Sequence, residues 1–193
     1  YVTDGFPGES RGRLHHHTEW GEIGKATMSY GYGITVTPIQ LAQAYSVIAN
    51  NGLYTPLSLR KGLFNESKRV INEDTAKTLL SMLEKVVEDG TSKKATVNGY
   101  RVGGKSGTAW KTSGAGGYST DRYRSIFAGI APIDDPRLVA VVFIEEPTGE
   151  FYYGGDVAAP VFSEIISQSL QLLSIPPQGF ITKPDLVADN KND

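Results

Sequence analysis

The sequence predicts an α/β chain of the α+β type, an antiparallel sheet with helices packed on it. Three observations lead there. Capped amphipathic helical stretches occupy the first half and the end of the chain. After Gly90 the pattern changes to strand-like runs. Two of those runs are joined by a turn too short for any helical crossover, which makes them antiparallel.

The elements follow in order. Residues 1–24, YVTDGFPGESRGRLHHHTEWGEIG, are rich in glycine and charge without sustained periodicity, and read as loop with one short helix. Thr37-Pro38-Ile39-Gln40 then opens a helix with an N-cap hydroxyl, proline at the first helical position and Gln three residues after the cap. Leu41, Tyr45 and Ile48 recur on one face, and Asn51-Gly52 stops the helix. Residues 53–71 read as extended or irregular. A second helix over about 73–88 has acids in its first turn, an apolar face of Leu79, Leu83 and Val86, and Gly90 at its end. Strands are expected at 100–110, 124–131 and 137–145, the last two joined by Pro132-Ile133-Asp134-Asp135-Pro136. A last helix over about 158–173 carries Phe162, Ile165, Ile166, Ser169, Leu170 and Leu173 on or near one side. After Pro176-Pro177, residues 178–193 form a polar tail that is expected to be mobile. No repeat or linker divides residues 1–177.

Composition narrows the function classes. A net charge of -2 gives no long-range field for nucleic acid or anionic lipid, so no nucleic-acid partner is expected. The longest apolar run, 138–144, is far too short to cross a bilayer. Nothing at the start resembles a signal peptide, and a chain opening at Tyr1 rather than Met is expected to be part of a longer gene product. The absence of cysteine excludes disulfides, thiol catalysis and Cys-ligated zinc, which suits an oxidising compartment.

The chemistry-bearing stretch is GYRVGGKSGTAWKT, residues 99–112, which fits two descriptions. Gly99, Gly104, Lys105 and Ser106 give the G-x-x-x-x-G-K-S spacing of a P-loop, and LVAVVFIEE further on resembles a strand ending in magnesium-holding acids. A P-loop, however, follows a buried strand and opens a helix whose N-terminus holds phosphate. Here polar TSKKAT precedes the loop, and Gly114, Gly116 and Gly117 soon follow it, leaving no room for a helix. The second description is a strand carrying Lys105-Ser106-Gly107-Thr108. Lys105 gives a positive field, and the Ser106 and Thr108 hydroxyls can donate to a carboxylate. Gly107 lets a peptide or lactam lie against the strand edge, and the next backbone N–H can face an oxyanion. An edge strand with a solvated lysine remains the plain alternative.

Ordered motifs along the chain decide between them by resemblance. Ser29-Tyr30-Gly31-Tyr32-Gly33 and Thr37-Pro38-x-Gln40-Leu41-Ala42 resemble the segment before a core helix in class B penicillin-binding proteins. Phe6-Pro7-Gly8-Glu9 is similar to their L-P-G-E turn, with Phe for Leu. Lys105-Ser106-Gly107-Thr108-Ala109 resembles their third active-site motif. Phe127-Ala128-Gly129-Ile130-Ala131-Pro132, Glu146-Pro147, Tyr152-Tyr153-Gly154-Gly155 and Ala159-Pro160-Val161-Phe162 follow in family order. Over residues 5–177 the chain is similar to the septal peptidoglycan D,D-transpeptidase of Gram-negative cell division.

The resemblance implies a penicillin-binding transpeptidase fold, shared with serine beta-lactamases, and a serine acyl-enzyme that cross-links D-Ala-D-Ala stem peptides and is acylated by beta-lactams. It implies catalytic roles for Lys105 and Thr108, and carboxylate or substrate contact for Ser106, Gly107 and Thr108. Tyr152 and Tyr153 are implied as an aromatic wall, with plain loop aromatics as the alternative. It further implies no cofactor, a place on the periplasmic face of the inner membrane, and a septal glycosyltransferase and other division proteins as partners. A beta-lactamase or D,D-carboxypeptidase relative, or a non-catalytic scaffold, are the other classes.

The family's S-x-x-K and S-x-N motifs are where the sequence departs. Its S-x-x-K match, Ser58-Leu59-Arg60-Lys61, falls in an extended stretch, where the two side chains do not share a face as they would on a helix. Ser119-Thr120-Asp121 is a poor S-x-N substitute, expected in a glycine-rich loop. Residues 1–177 are therefore expected to be the C-terminal portion of a transpeptidase domain, inactive alone, with the nucleophile on the remaining N-terminal part of the protein. Trp110 stands where relatives often carry Arg, either altering the cleft mouth or packing on the loop that follows. His15-His16-His17 is not expected to hold a metal, because adjacent side chains splay. Glu145 and Glu146 are expected to face opposite ways at a solvated strand end.

Overall fold

A computed structural model describes residues 6–62, 66–112 and 118–177. A 3-10 turn at His17–Glu19 and helix α1 (Glu22–Met28) lie in or beside the stretch expected to be mostly loop. Helix α2 (Pro38–Ala49) begins as its sequence dictates. The Thr37 hydroxyl accepts from Gln40 N at 3.2 Å, and Gln40 Oε1 accepts from Thr37 N at 2.9 Å. Asn51 and Gly52, both at positive φ, end it. Residues 53–71, expected to be extended or irregular, contain a short antiparallel pair, β1 (Leu53–Tyr54) with β2 (Lys68–Arg69). Helix α3 (Glu73–Glu88) has the expected bounds and is capped by Asn72, whose side chain accepts from Thr75 N at 2.8 Å.

The sheet is an antiparallel meander of β3 (Gly103–Thr112), β4 (Tyr118–Ala131) and β5 (Leu138–Glu145), with β4 central. The short turn pairs β4 with β5 as expected, Ala131 opposite Leu138. Two helices close the described chain, the single turn α4 (Gly154–Val157) and α5 (Ala159–Leu172). Helices cover both faces. A Cβ on Gly103 would lie 2.9 Å from the Glu84 backbone N of α3, whereas one on Gly129 would lie 2.6 Å from the Phe162 ring of α5. Phe127 and Phe162 meet with ring centroids 4.8 Å apart, and with Ile166, Leu170 and Val87 they form the fully buried centre.

Several expected details shift, each for a physical reason. Strand β3 begins at Gly103 rather than 100, because residues 97–100 form a turn, with Tyr100 N donating to Val97 O at 3.1 Å. Strand β4 begins at Tyr118 instead of 124, so Ser119-Thr120-Asp121 is strand and not glycine-rich loop; pairing with β3 holds a polar stretch that has no apolar alternation of its own. On α3 the most buried positions are Ala76, Glu84 and Val87, while Leu79, Leu83 and Val86 are half-buried. The Glu84 carboxylate can face inward because Arg101 binds it bidentately, Nε to Oε1 at 2.5 Å and Nη2 to Oε2 at 2.7 Å. On α2, Gln43 and Val47 are buried and Leu41, Tyr45 and Ile48 are half-buried. The tail 178–193 lies outside the described residues.

On α5 the sequence grouped Phe162 with Ile165 and Leu173, but Phe162 is fully buried whereas Ile165 and Leu173 are 46% and 54% exposed. Phe162→Ala is expected to cost about 3–5 kcal/mol of stability, and Ile165→Ala less than about 1 kcal/mol. Denaturant unfolding of the two variants in the full-length protein checks the contrast; equal losses would place Ile165 in the core.

Candidate functional site

The Lys105-Ser106-Gly107-Thr108 stretch lies in the middle of β3, an edge strand of the sheet among the described residues. Cross-strand partners on β4 are Ala128, Phe127, Ile126 and Ser125 in that order. Alternation divides the four residues between two faces. Ser106 and Thr108 share the face of Phe127 and Ser125, over which α4 and α5 lie, and Lys105 and Gly107 take the other. No helix follows Ser106, as the phosphate-loop description requires, and the two glycines of that spacing have separate explanations. Gly99 sits at φ 81 in the turn before β3, and a Cβ on Gly104 would press 2.5 Å from the Phe127 ring.

Each side chain of the stretch has a defined setting. Lys105 is exposed, with Nζ donating to its neighbour's Ser106 carbonyl at 2.6 Å. The Ser106 hydroxyl lies 3.4 Å from that of Thr91, on the loop after α3. Thr108 Oγ1 accepts from Gly154 N at 3.0 Å. Gly107 is exposed, and a Cβ there would meet nothing nearer than Ile126 Cβ at 4.0 Å, so nothing among the described residues requires its bareness. Gly154 is the opposite case. A Cβ on it would lie 2.3 Å from Ile126 O and 2.5 Å from Gly107 O, so only glycine lets the first turn of α4 rest on the β3–β4 backbone.

Tyr152 and Tyr153 lead into that turn, and they belong to a larger row of rings. Tyr152 stacks on Tyr123 of β4 at 4.0 Å and 14°, Tyr123 packs on its cross-strand partner Trp110 at 4.7 Å, and Tyr152 meets Tyr153 at 4.5 Å. Trp110 therefore packs across the sheet; the loop residues 113–117 lie outside the described residues. The hydroxyl bond with Tyr152 holds the Tyr153 phenol above the ordinary tyrosine value. On the opposite face of β3 is a cleft of about 590 Å³, between Gly107, Ala109 and Ile126 and the Tyr30, Tyr32 and Ile34 segment before α2. The Ser29-Gly33 segment thus lies across a cleft from the Lys105-Thr108 strand.

Other candidates from the sequence lie elsewhere. Ser58 is in a non-helical segment, its hydroxyl accepting from Arg60 N at 3.0 Å. His15 Nδ1 is 3.1 Å from Glu19 Oε2, and His16 Nδ1 is 2.8 Å from the Thr18 hydroxyl. Glu145 and Glu146 do not oppose each other as expected. Glu146 sits at φ 51, which ends the strand geometry, and both carboxylates bind Lys111, Glu145 Oε1 at 2.6 Å. Arg124 adds a 3.3 Å pair to Glu145. Sequence reasoning missed Tyr123 and Ser125. The signal for both was available once the β3–β4 register was fixed, since they are the partners of Trp110 and Thr108.

The family model for the penicillin binding protein transpeptidase domain matches residues 2–167. The chain is 47% identical over 190 residues to the probable peptidoglycan D,D-transpeptidase PbpC of Pseudomonas aeruginosa, covering 97% of this chain and 33% of that protein. It is 39% identical over 180 residues to the peptidoglycan D,D-transpeptidase FtsI of Escherichia coli, covering 92% of this chain and 30% of that one. The apo structure of the TP domain from Burkholderia pseudomallei penicillin-binding protein 3 superimposes with a TM-score of 0.82 at 46% identity, covering 90% of this chain and 53% of that domain chain. The chain thus spans about a third of the length of the curated relatives it matches.

The Lys111 group has a pH signature. Lys111 and then Arg124 hold the Glu145 carboxyl below its ordinary value, and Glu145 and then Glu146 hold Lys111 above its own. Glu145 thus contributes stability that is present above the unfolded carboxylate pKa of about 4.3 and is lost as pH falls through the lowered folded value. The Lys111 contribution is present below about 10.4 and is lost as pH rises through the raised folded value. Lys111→Met in the full-length protein is expected to flatten the fall of Tm between about pH 5 and pH 3. An unchanged slope would show that these exposed pairs contribute nothing.

Proposed function

The chain belongs to the penicillin-binding protein transpeptidase domain family, and from that premise we propose that it builds one wall of the acyl-transfer site of a septal peptidoglycan D,D-transpeptidase. In the proposed reaction a serine hydroxyl attacks the carbonyl between the two D-Ala residues of a stem peptide. The C–N bond breaks, D-Ala leaves with the proton from the serine, and the acyl group is held as an ester. An amine of a second stem peptide then attacks the ester, forming the new amide and returning a proton to the serine oxygen. Beta-lactams present the same carbonyl, but their leaving amine stays tethered, so the ester persists.

Within this reaction Lys105 supplies positive potential and aids proton transfer, while the Ser106 and Thr108 hydroxyls donate to the substrate's terminal carboxylate. The Thr108 N–H contributes to the oxyanion hole. Tyr152 and Tyr153 form the wall against which the acyl donor's side chain rests. The observation that carries this reading is the bare, open position of Gly107 between two hydroxyls on an edge strand, where an extended peptide can add alongside. The nucleophile is assigned to a part of the protein outside residues 1–193, because Ser58 lies in a turn that presents no helical Ser-x-x-Lys face. Among the described residues no helix is long and apolar enough to cross a membrane, and the proposed place at the periplasmic face of the inner membrane needs an anchor elsewhere in the protein. Septal glycosyltransferase and other division proteins are its proposed partners.

Labelling the full-length protein with a fluorescent penicillin tests the proposal. A stable adduct is expected. Rapid turnover would indicate a beta-lactamase or carboxypeptidase, and no adduct a scaffold. Gly107→Val is expected to slow acylation more than about tenfold with Tm unchanged, since the added side chain meets ligand rather than protein. The isolated 193 residues are expected to form no adduct, and an adduct on Ser58 would overturn the assignment of the nucleophile.

A further inference from the structure

Ser125 is a fully buried hydroxyl in a row of apolar and aromatic neighbours on β4, and its partner is not on its own strand. Its Oγ donates to the carbonyl of Tyr152 in a close contact. Its cross-strand partner is Thr108, whose Oγ1 accepts from Gly154 N at 3.0 Å. One cross-strand pair therefore grips the Tyr152–Gly154 backbone twice, once by donating and once by accepting. Two residues before Ser125 on the same face, Tyr123 stacks on the Tyr152 ring at 4.0 Å. The Tyr152 backbone and ring are thus held by successive same-face residues of β4.

A buried serine at this place is not explained by packing. Alanine would fill nearly the same volume without a polar group to satisfy, whereas the serine hydroxyl would be orphaned if the Tyr152 carbonyl moved away. We propose that Ser125 is a positioning residue for acyl-donor selection: it fixes the aromatic pair Tyr152–Tyr153 at a set offset from the Ser106 and Thr108 hydroxyls, so that donors with an aromatic or bulky side chain are favoured. The inference rests on the reading of Tyr152 and Tyr153 as a substrate wall. Ser125 touches neither substrate nor the reacting atoms and acts through the loop it holds.

The test compares second-order acylation rates of the full-length protein with benzylpenicillin, which bears a phenyl side chain, and with 6-aminopenicillanic acid, which bears none. Ser125→Ala is expected to lower the benzylpenicillin rate about fivefold to tenfold more than the 6-aminopenicillanic acid rate, the loss of one anchoring hydrogen bond. Tyr152→Ala is expected to show the same selectivity. A general packing defect would instead slow both ligands alike. If Tyr152→Ala is selective and Ser125→Ala is not, the proposal is overturned and the wall stands. If Tyr152→Ala is not selective, the wall reading fails and this proposal falls with it. Should Ser125→Ala not fold, Ser125→Cys, a near-isostere with a weak donor, is expected to show the same selective loss, and parent-like selectivity there overturns the proposal.

Discussion

The register of β3 on β4 is the constraint on which the rest of the molecule depends. On one face it sets four cross-strand pairs in a row: Trp110 with Tyr123, Thr108 with Ser125, Ser106 with Phe127, and Gly104 with Gly129. The row runs from the exposed Trp110 and half-buried Tyr123 rings, through hydroxyls that grip a loop, to Phe127 over Gly104 and to Gly129, which seats the Phe162 ring. A slip of β3 by one residue would send each of its side chains in the row to the opposite face. The two glycines guard against that slip, because neither Phe127 nor Phe162 fits over any other residue at those positions. The hydrophobic core and the hydroxyl stretch are therefore two ends of one alignment.

Much of this was legible in the sequence where the cause is local. The capping box of Thr37 and Gln40, the Asn51-Gly52 stop and the tight turn between β4 and β5 each depend on a few neighbouring residues. The Lys105-Thr108 stretch was legible as a strand, and its edge position followed from the meander. What escaped was set by contacts between distant residues. The first part of β4 is polar and has no periodic pattern; β3 alone makes it a strand. The inward carboxylate of Glu84 depends on Arg101, and the shared direction of Glu145 and Glu146 on one left-handed residue. Tyr123 and Ser125 carry no motif at all, and their importance appears only opposite Trp110 and Thr108.

The double description of residues 99–112 has a physical resolution of the same kind. A phosphate loop needs its glycines for backbone N–H groups that converge on an anion at a helix start. Here the spacing arises from one glycine in a turn and another beneath a ring, and a strand follows. Identical spacing thus serves unrelated needs, and only the element that follows separates them.

The bond from Gly154 N–H to Thr108 Oγ1 has a consequence for molecular recognition. A hydroxyl that already receives a proton donor from one side has its own proton left to offer on the other. The loop that holds the tyrosines thereby gives the threonine a direction, filling one of its two acceptor positions and biasing the group towards donation. Across such a strand an incoming carboxylate or carbonyl could accept that proton, whereas an ammonium or amide N–H would have only the one remaining lone pair to share. A preference for acceptors over donors would then come from the backbone of a neighbouring helical turn, without any change in the charge of the threonine itself.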